Sequence, residues 1–336
     1  MKFKIIVNKK ANFFFFVSNL SEWSPYCRKD YSVSWLKNNP LDRKEKNALA
    51  KLNRLLKEKK YKLINPLLTS VDENGFWGNV LKILSVEERT VFKEWLNIFE
   101  KRFEKLWLKE EKNLEKAKDN LAKNFLVSDK LVALIKKLYG GRTSPKSISI
   151  FLFTSPDRKH LIGGGSGFGA NGISLECSKI TKNNNKNNML ARVILHEITH
   201  AFFEKRLIDK IKTFISSEYF ENKYKNLILK SSIYKQVKSI IGPIKELILT
   251  SFLPEGYLAE NFFGLNVIKN LKMRKSIKES QLEKNYYDLM LFGVLKMYKI
   301  AKNYSDNQEP IDKKYIEEAI KYWIEFERTD LRKLKI

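Results

Sequence analysis

Apolar and polar positions follow two different periods along this chain, and the change of period organises it. Lys2 to Val7 alternates and predicts a short strand. From Asn12 to Asn39 the chain is dense in aromatics (Phe13 to Phe16, Trp23, Tyr26, Tyr31, Trp35) and keeps neither period, so no element is assigned. Pro40 and Asp42 introduce a helix over 42–59, with Ala48, Leu49, Leu52, Leu55 and Leu56 on one face. Asp72 to Gly75 reads as a turn, and Ser85 to Glu88 as a capping box opening a long helix. Phe92, Trp95, Phe99, Phe103, Leu106, Leu114, Ala117 and Leu121 keep helical spacing along it, with lysine and glutamate opposite, the pattern of an ordinary amphipathic helix. A helix over 129–139 stops at Gly140-Gly141.

There the period changes. Ser147 to Phe153 alternates as a strand, Pro156-Asp157 turns, and the glycine-rich stretch from Leu161 ends in a second strand at Ile173 to Leu175. After an Asn/Lys loop over 182–188 the chain reads as helices at 189–214, 220–230, 232–250, 255–263, 283–303 and 311–327, with Pro243 kinking or splitting the third of these. The expectation is an α+β, predominantly helical fold. Residues 1–141 form a mainly helical region of unassigned role, and 142–336 form a domain of helices around a small mixed sheet.

Composition narrows the class. Of 336 residues, 43% are hydrophobic and 12% aromatic, enough for a packed core and against disorder. The formal net charge of +26 would attract polyanions, but the lysines are spread along the whole chain rather than clustered, so nucleic acid is not the favoured partner. Two distant cysteines, Cys27 and Cys177, make neither a disulfide framework nor a metal-binding pair, which suits a reducing compartment. The apolar run Phe13 to Val17 is too short for a signal segment, and no stretch approaches the ~20 apolar residues of a membrane span, so a cytoplasmic location is expected.

The chemistry is concentrated at His196-Glu197-Ile198-Thr199-His200. Positions i and i+4 share a helix face one turn apart, so both imidazoles can reach one metal ion, and Glu197 points toward where a metal-bound water would stand. The flanks are mostly apolar (Leu190, Ala191, Val193, Ile194 and Leu195 before, Ala201, Phe202 and Phe203 after), so the helix is expected to be buried. Burying two histidines and a glutamate there is costly unless something compensates them, and a metal does so. The third histidine of the longer HExxHxxGxxH pattern is absent, since positions 203 and 206 are Phe203 and Arg206. Glu204, a further turn along the same helix, cannot converge with the other two on one ion. The third ligand must come from elsewhere. Glu255, in Phe252-Leu-Pro-Glu-Gly-Tyr257 at a helix start marked by Pro254, is the first candidate, and Glu260 the fallback or an outer partner of a histidine.

On these residues the chain resembles the gluzincin zinc metallopeptidases, whose HExxH helix is followed by a downstream ligand glutamate. Phe252 to Tyr257 is similar to the WLxEGxA segment of their aminopeptidase-like members, although Ala259 falls one residue late and no GxMEN stretch is present. The resemblance covers roughly 147–264. It implies a zincin-like domain in which His196, His200 and Glu255 bind Zn2+ and Glu197 is general base and then proton shuttle. It also implies a donor for the oxyanion, for which Tyr257 is nearest in sequence, with Tyr286, Tyr287 and His160 as alternatives. Gly165 to Ala170 loosely fits a nucleotide-binding pattern, but a strand follows where that pattern needs a helix. Those glycines read either as a sheet edge approached by an extended substrate or as a plain hairpin. The expected function is hydrolysis of peptide or protein substrates. The alternatives are a basic nucleic-acid-binding protein with a structural or vestigial metal site, and an inactive zincin that acts by binding.

Overall fold

A computed structural model describes residues 2–24, 27, 30–59, 62–64, 78, 80–124, 128–141, 147–154, 162–168, 172–177, 189–267, 269, 284 and 286–329. The expected turns at Asp72 to Gly75 and Pro156, the loop over 182–188 and His160 lie outside these residues. The fold is α+β and predominantly helical, with one small mixed sheet.

The chain forms two compact units, and neither is a continuous segment: residues 1–125 with 146–184, and residues 126–145 with 185–336. The boundary expected near 141 is therefore replaced by an exchange of segments, for a physical reason in each direction. The strand at 147 belongs with the N-terminal unit because β1 (Lys2–Val7) pairs with β2 (Ser147–Thr154) in parallel over its whole length. The helix before it, α4 (Asp129–Tyr139), belongs with the C-terminal unit, where Ile311 donates its amide to the Leu138 carbonyl at 2.8 Å.

In the first unit the sheet order is β1-β2-β4-β3, with β3 (Ile162–Phe168) and β4 (Gly172–Cys177) as an antiparallel hairpin and the other pairings parallel. The untyped aromatic stretch begins as a helix, α1 (Lys9–Ser21). It lacks a helical period because every residue from Ala11 to Ser21 is buried, and a helix apolar all round carries no stripe. Its start is set by Asn8, whose side chain accepts from the Ala11 amide at 2.8 Å. Buried Asn12 then ties α1 to β2, donating to the Leu152 carbonyl at 3.0 Å and accepting from the Thr154 amide at 2.8 Å. The phenyl rings of α1 pack against those of the long helix α3 (Val86–Asn124), Phe14 stacking on Phe92 at 5.6 Å and Phe13 meeting Phe103 at 5.2 Å. Arg102 of α3 grips Glu45 of α2 (Arg43–Lys59) with two bonds of 2.7 and 2.6 Å.

The second unit is helical among its described residues. The helix expected at 189–214 divides at Phe203 into α5 (Met189–Phe202) and α6 (Glu204–Ile215). Phe203 is buried against Gly141, where a Cβ would lie 2.3 Å from the ring. The helix expected at 232–250 also divides, and its second half is α7 (Ile241–Thr250), with Pro243 in its first turn, where a missing N–H costs nothing. Ile244, Leu247, Ile248 and Leu249 of α7 are fully buried, packed against α6, α9 (Tyr286–Asp306) and α10 (Lys313–Arg328). Between α7 and α9 a short helix, α8 (Tyr257–Phe263), starts two residues later than the pattern predicts, which leaves Glu255 in the turn before it.

Candidate metal centre

Helix α5 is buried on all sides from Ala191 to Thr199, with Ala191, Ile194, Leu195 and Ile198 on one face and the histidines on another. His196 and His200 stand with their rings 4.6 Å apart and nearly perpendicular, and their Nε2 atoms are 3.0 Å apart. Opposite them, α7 presents Glu246, with Oε1 3.3 Å from His200 Nε2 and Oε2 3.6 Å from His196 Nε2. Among the described residues these three side chains form a group able to hold a metal ion.

The outer partners prepare the nitrogens for that role. His196 Nδ1 donates to the Leu253 carbonyl at 2.9 Å, and His200 Nδ1 to Glu204 Oε2 at 2.5 Å. A carbonyl and a carboxylate can only accept, so each Nδ1 carries the hydrogen and each Nε2 turns toward the shared point. The spacing also fits. A four-coordinate ion with bonds of ~2.0–2.1 Å needs its ligand atoms roughly 3.3 Å apart; the two Nε2 atoms are 3.0 Å apart, and one oxygen of Glu246 lies 3.3 Å from His200 while its other oxygen lies 3.6 Å from His196.

The electrostatics point the same way. Burial pushes His196 down to about 4, helped by the neighbouring His200, so its ring is neutral. Burial also pushes the Glu197 carboxyl up to about 7. For His200 burial opposes the charge, but Glu246 and Glu204 outweigh it and hold the ring up to about 10. Burial likewise opposes ionisation of Glu246, yet His200, His196 and Lys245 draw it down to about 2. Without an ion, then, the cluster borrows a proton at His200 to balance its carboxylates. Glu197, Glu204 and Glu246 together face one lysine, Lys245, which is 2.9 Å from Glu204 and 3.5 Å from Glu246. A divalent cation would take over the role of that proton on His200 against the surrounding carboxylates, with both imidazoles then free as nitrogen ligands.

The sequence-based assignments divide here. His196, Glu197 and His200 lie together, with Glu197 buried beside the pair. Glu255 is buried too but stands outside the group able to hold a metal, whose carboxylate is that of Glu246. The reason is that α8 begins only at Tyr257, so Glu255 sits in the turn below rather than on a helix facing α5. That turn still serves the centre through its backbone. Leu253 holds His196, and the Pro254 carbonyl accepts from buried Arg192 of α5. Tyr257 does not turn its hydroxyl to the histidines. It donates to Asp306 of α9 at 2.6 Å, with Lys302 3.5 Å away. Glu260 accepts from Tyr298 at 2.6 Å. Glu204, excluded as a ligand, is the outer partner of His200. A signal for Glu246 did exist: it is one of only two charged residues in the otherwise apolar run Ile240 to Leu249, the same kind of anomaly that marks His196. Comparison with protein-family models, with curated proteins and with solved structures finds no match to this chain.

Proposed function

We propose that this chain is a zinc-dependent hydrolase of zincin-like type, acting on peptide bonds. The observation that carries the reading is the three-sided group of His196, His200 and Glu246, with both histidines oriented from behind and Glu197 next to it. Three protein ligands leave a coordination position open, which is the mark of a catalytic rather than a structural site. A zinc ion held there supplies a Lewis acid that polarises a carbonyl and acidifies water. The chain's own residues do the rest. His196 and His200 offer neutral nitrogens, and Glu246 offers the one anionic ligand. Glu197 is buried next to His196 on the same helix, and its carboxylate would accept a proton from the attacking water. It then delivers that proton to the departing amine. A carboxyl drawn up to about 7 suits both halves of that transfer near neutral pH. Peptide as the substrate class is supported by the resemblance of His196-Glu197-Ile198-Thr199-His200 to the gluzincin motif; the part of that resemblance carried by Glu255 does not extend to Glu246.

The test is Glu197→Gln beside wild type, measuring zinc by elemental analysis and turnover on a mixed peptide library. The variant is expected to hold equimolar zinc and to cleave nothing. A variant that cleaves like wild type overturns the mechanism, and a zinc-free wild type overturns the whole reading.

A further inference from the structure

One cation in this unit is placed unlike a surface lysine. Among the described ion pairs Lys245 is the least exposed lysine, its side chain 19% accessible. It touches the two carboxylate oxygens that also face His200. Its Nζ is 2.9 Å from Glu204 Oε2, which accepts from His200 Nδ1 at 2.5 Å. It is also 3.5 Å from Glu246 Oε1, which lies 3.3 Å from His200 Nε2. Lysine, glutamate, histidine and glutamate thus close a ring of alternating partners, two members of which, His200 and Glu246, belong to the metal-binding group. We propose that Lys245 is the counter-ion of the metal-free centre, holding Glu204 and Glu246 in place and competing with the incoming divalent cation for Glu246. This rests on the zinc reading above.

Two consequences of opposite sign separate this role from simple support of a ligand. If Lys245 only positioned Glu246, removing its charge would weaken both the fold and the metal. A counter-ion behaves differently. Its loss leaves the carboxylates of Glu204 and Glu246 with His200 alone to balance them in the metal-free protein, which destabilises that state. The same loss removes a positive charge from beside the cation, which strengthens metal binding.

The experiment uses the full chain stripped of metal, and the variants Lys245→Met, of similar length and no charge, and Lys245→Arg. Zinc alone is the probe, titrated in competition with a chromophoric chelator, and thermal melting is recorded with and without zinc. Lys245→Met is expected to melt lower than wild type when metal-free, to bind zinc about tenfold more tightly, and to regain most of the lost melting temperature once loaded. Lys245→Arg is expected to restore both values. A fall in zinc affinity in Lys245→Met, or an unchanged metal-free melting temperature, overturns the counter-ion role while leaving the zinc reading intact. Failure of wild type itself to bind zinc overturns the zinc reading, and the competition with it.

Discussion

Replacing Glu246 by glutamine is the perturbation that bears most directly on the centre, because the structure and the sequence pattern name different third ligands. The carboxylate lies 3.3 Å from His200, 3.6 Å from His196 and 3.5 Å from Lys245. In the metal-free chain its carboxyl is drawn from an ordinary 4.5 to about 2, chiefly by His200 once the opposing burial is overcome. At 1.36 kcal/mol per unit that shift corresponds to about 3 kcal/mol of stability. The folded value is depressed, so this contribution is complete above the unfolded value and is lost as pH falls toward the folded one. Glu246→Gln should therefore destabilise the metal-free protein by about 3 kcal/mol at pH 7, and by much less at acid pH. In the loaded protein the same change removes the one anionic ligand. Leaving a buried cation uncompensated costs about 3–5 kcal/mol, or roughly two to three and a half orders of magnitude in zinc affinity. Denaturant titration of the chelator-treated protein reads the first quantity, and chelator competition the second. Glu255→Gln is the control, and it should keep its zinc. Zinc lost from Glu255→Gln and retained by Glu246→Gln would refute the assignment.

The remaining predictions concern the base, the turn and the scaffold. Glu197 has its folded value raised to about 7, so the metal-free protein loses stability as pH rises from 4.5 toward that value. Metal-free Glu197→Gln should then be more stable than wild type by up to about 3 kcal/mol at pH 8, and no more stable at pH 4.5 or below, as read by denaturant titration across pH. Gly256→Ala places a Cβ 1.9 Å from the Ser251 carbonyl oxygen, a backbone clash that no side-chain rotation relieves. It should cost about 2–4 kcal/mol and lower zinc affinity, because the same turn holds His196; a melting temperature within a degree of wild type would contradict this. Arg102→Lys should lose about 1–2 kcal/mol despite keeping its charge, because lysine cannot bridge both oxygens of Glu45; equal stability in a denaturant titration would show the paired bonds to be unimportant.

Much of the fold was legible because its helices carry stripes. The face Ala48, Leu49, Leu52, Leu55 and Leu56 predicted α2, and all five are buried in it. The capping box at Ser85 is made as expected, Glu88 accepting from the Ser85 amide at 2.7 Å. What escaped was α1, whose phenylalanines face buried surroundings on every side and so mark no period. The two-unit division escaped as well. Nothing in a local window shows that the strand at 147 pairs with residues near 2, because parallel pairing is a long-range contact without a turn signal.

The same distinction explains the centre. His196, Glu197 and His200 were legible because one helical turn brings them together, a geometry that spacing alone determines. The third group was not, because convergence of two helices depends on their packing rather than on any spacing between them. The local motif around Glu255 marks a segment that touches α5, through the carbonyls of Leu253 and Pro254. A backbone carbonyl carries no sequence signature, so a conspicuous side chain stood in for it. Glu246 stands out in an apolar run, but it lies beside a lysine that makes any carboxylate look like half of a surface pair. Burial removes that reading. A glutamate and a lysine among fully buried Ile244, Leu247 and Ile248 must each be compensated at short range. The groups within reach are the two histidines and Glu204, so the charge that a helix of this composition cannot leave unpaired is what points to the centre.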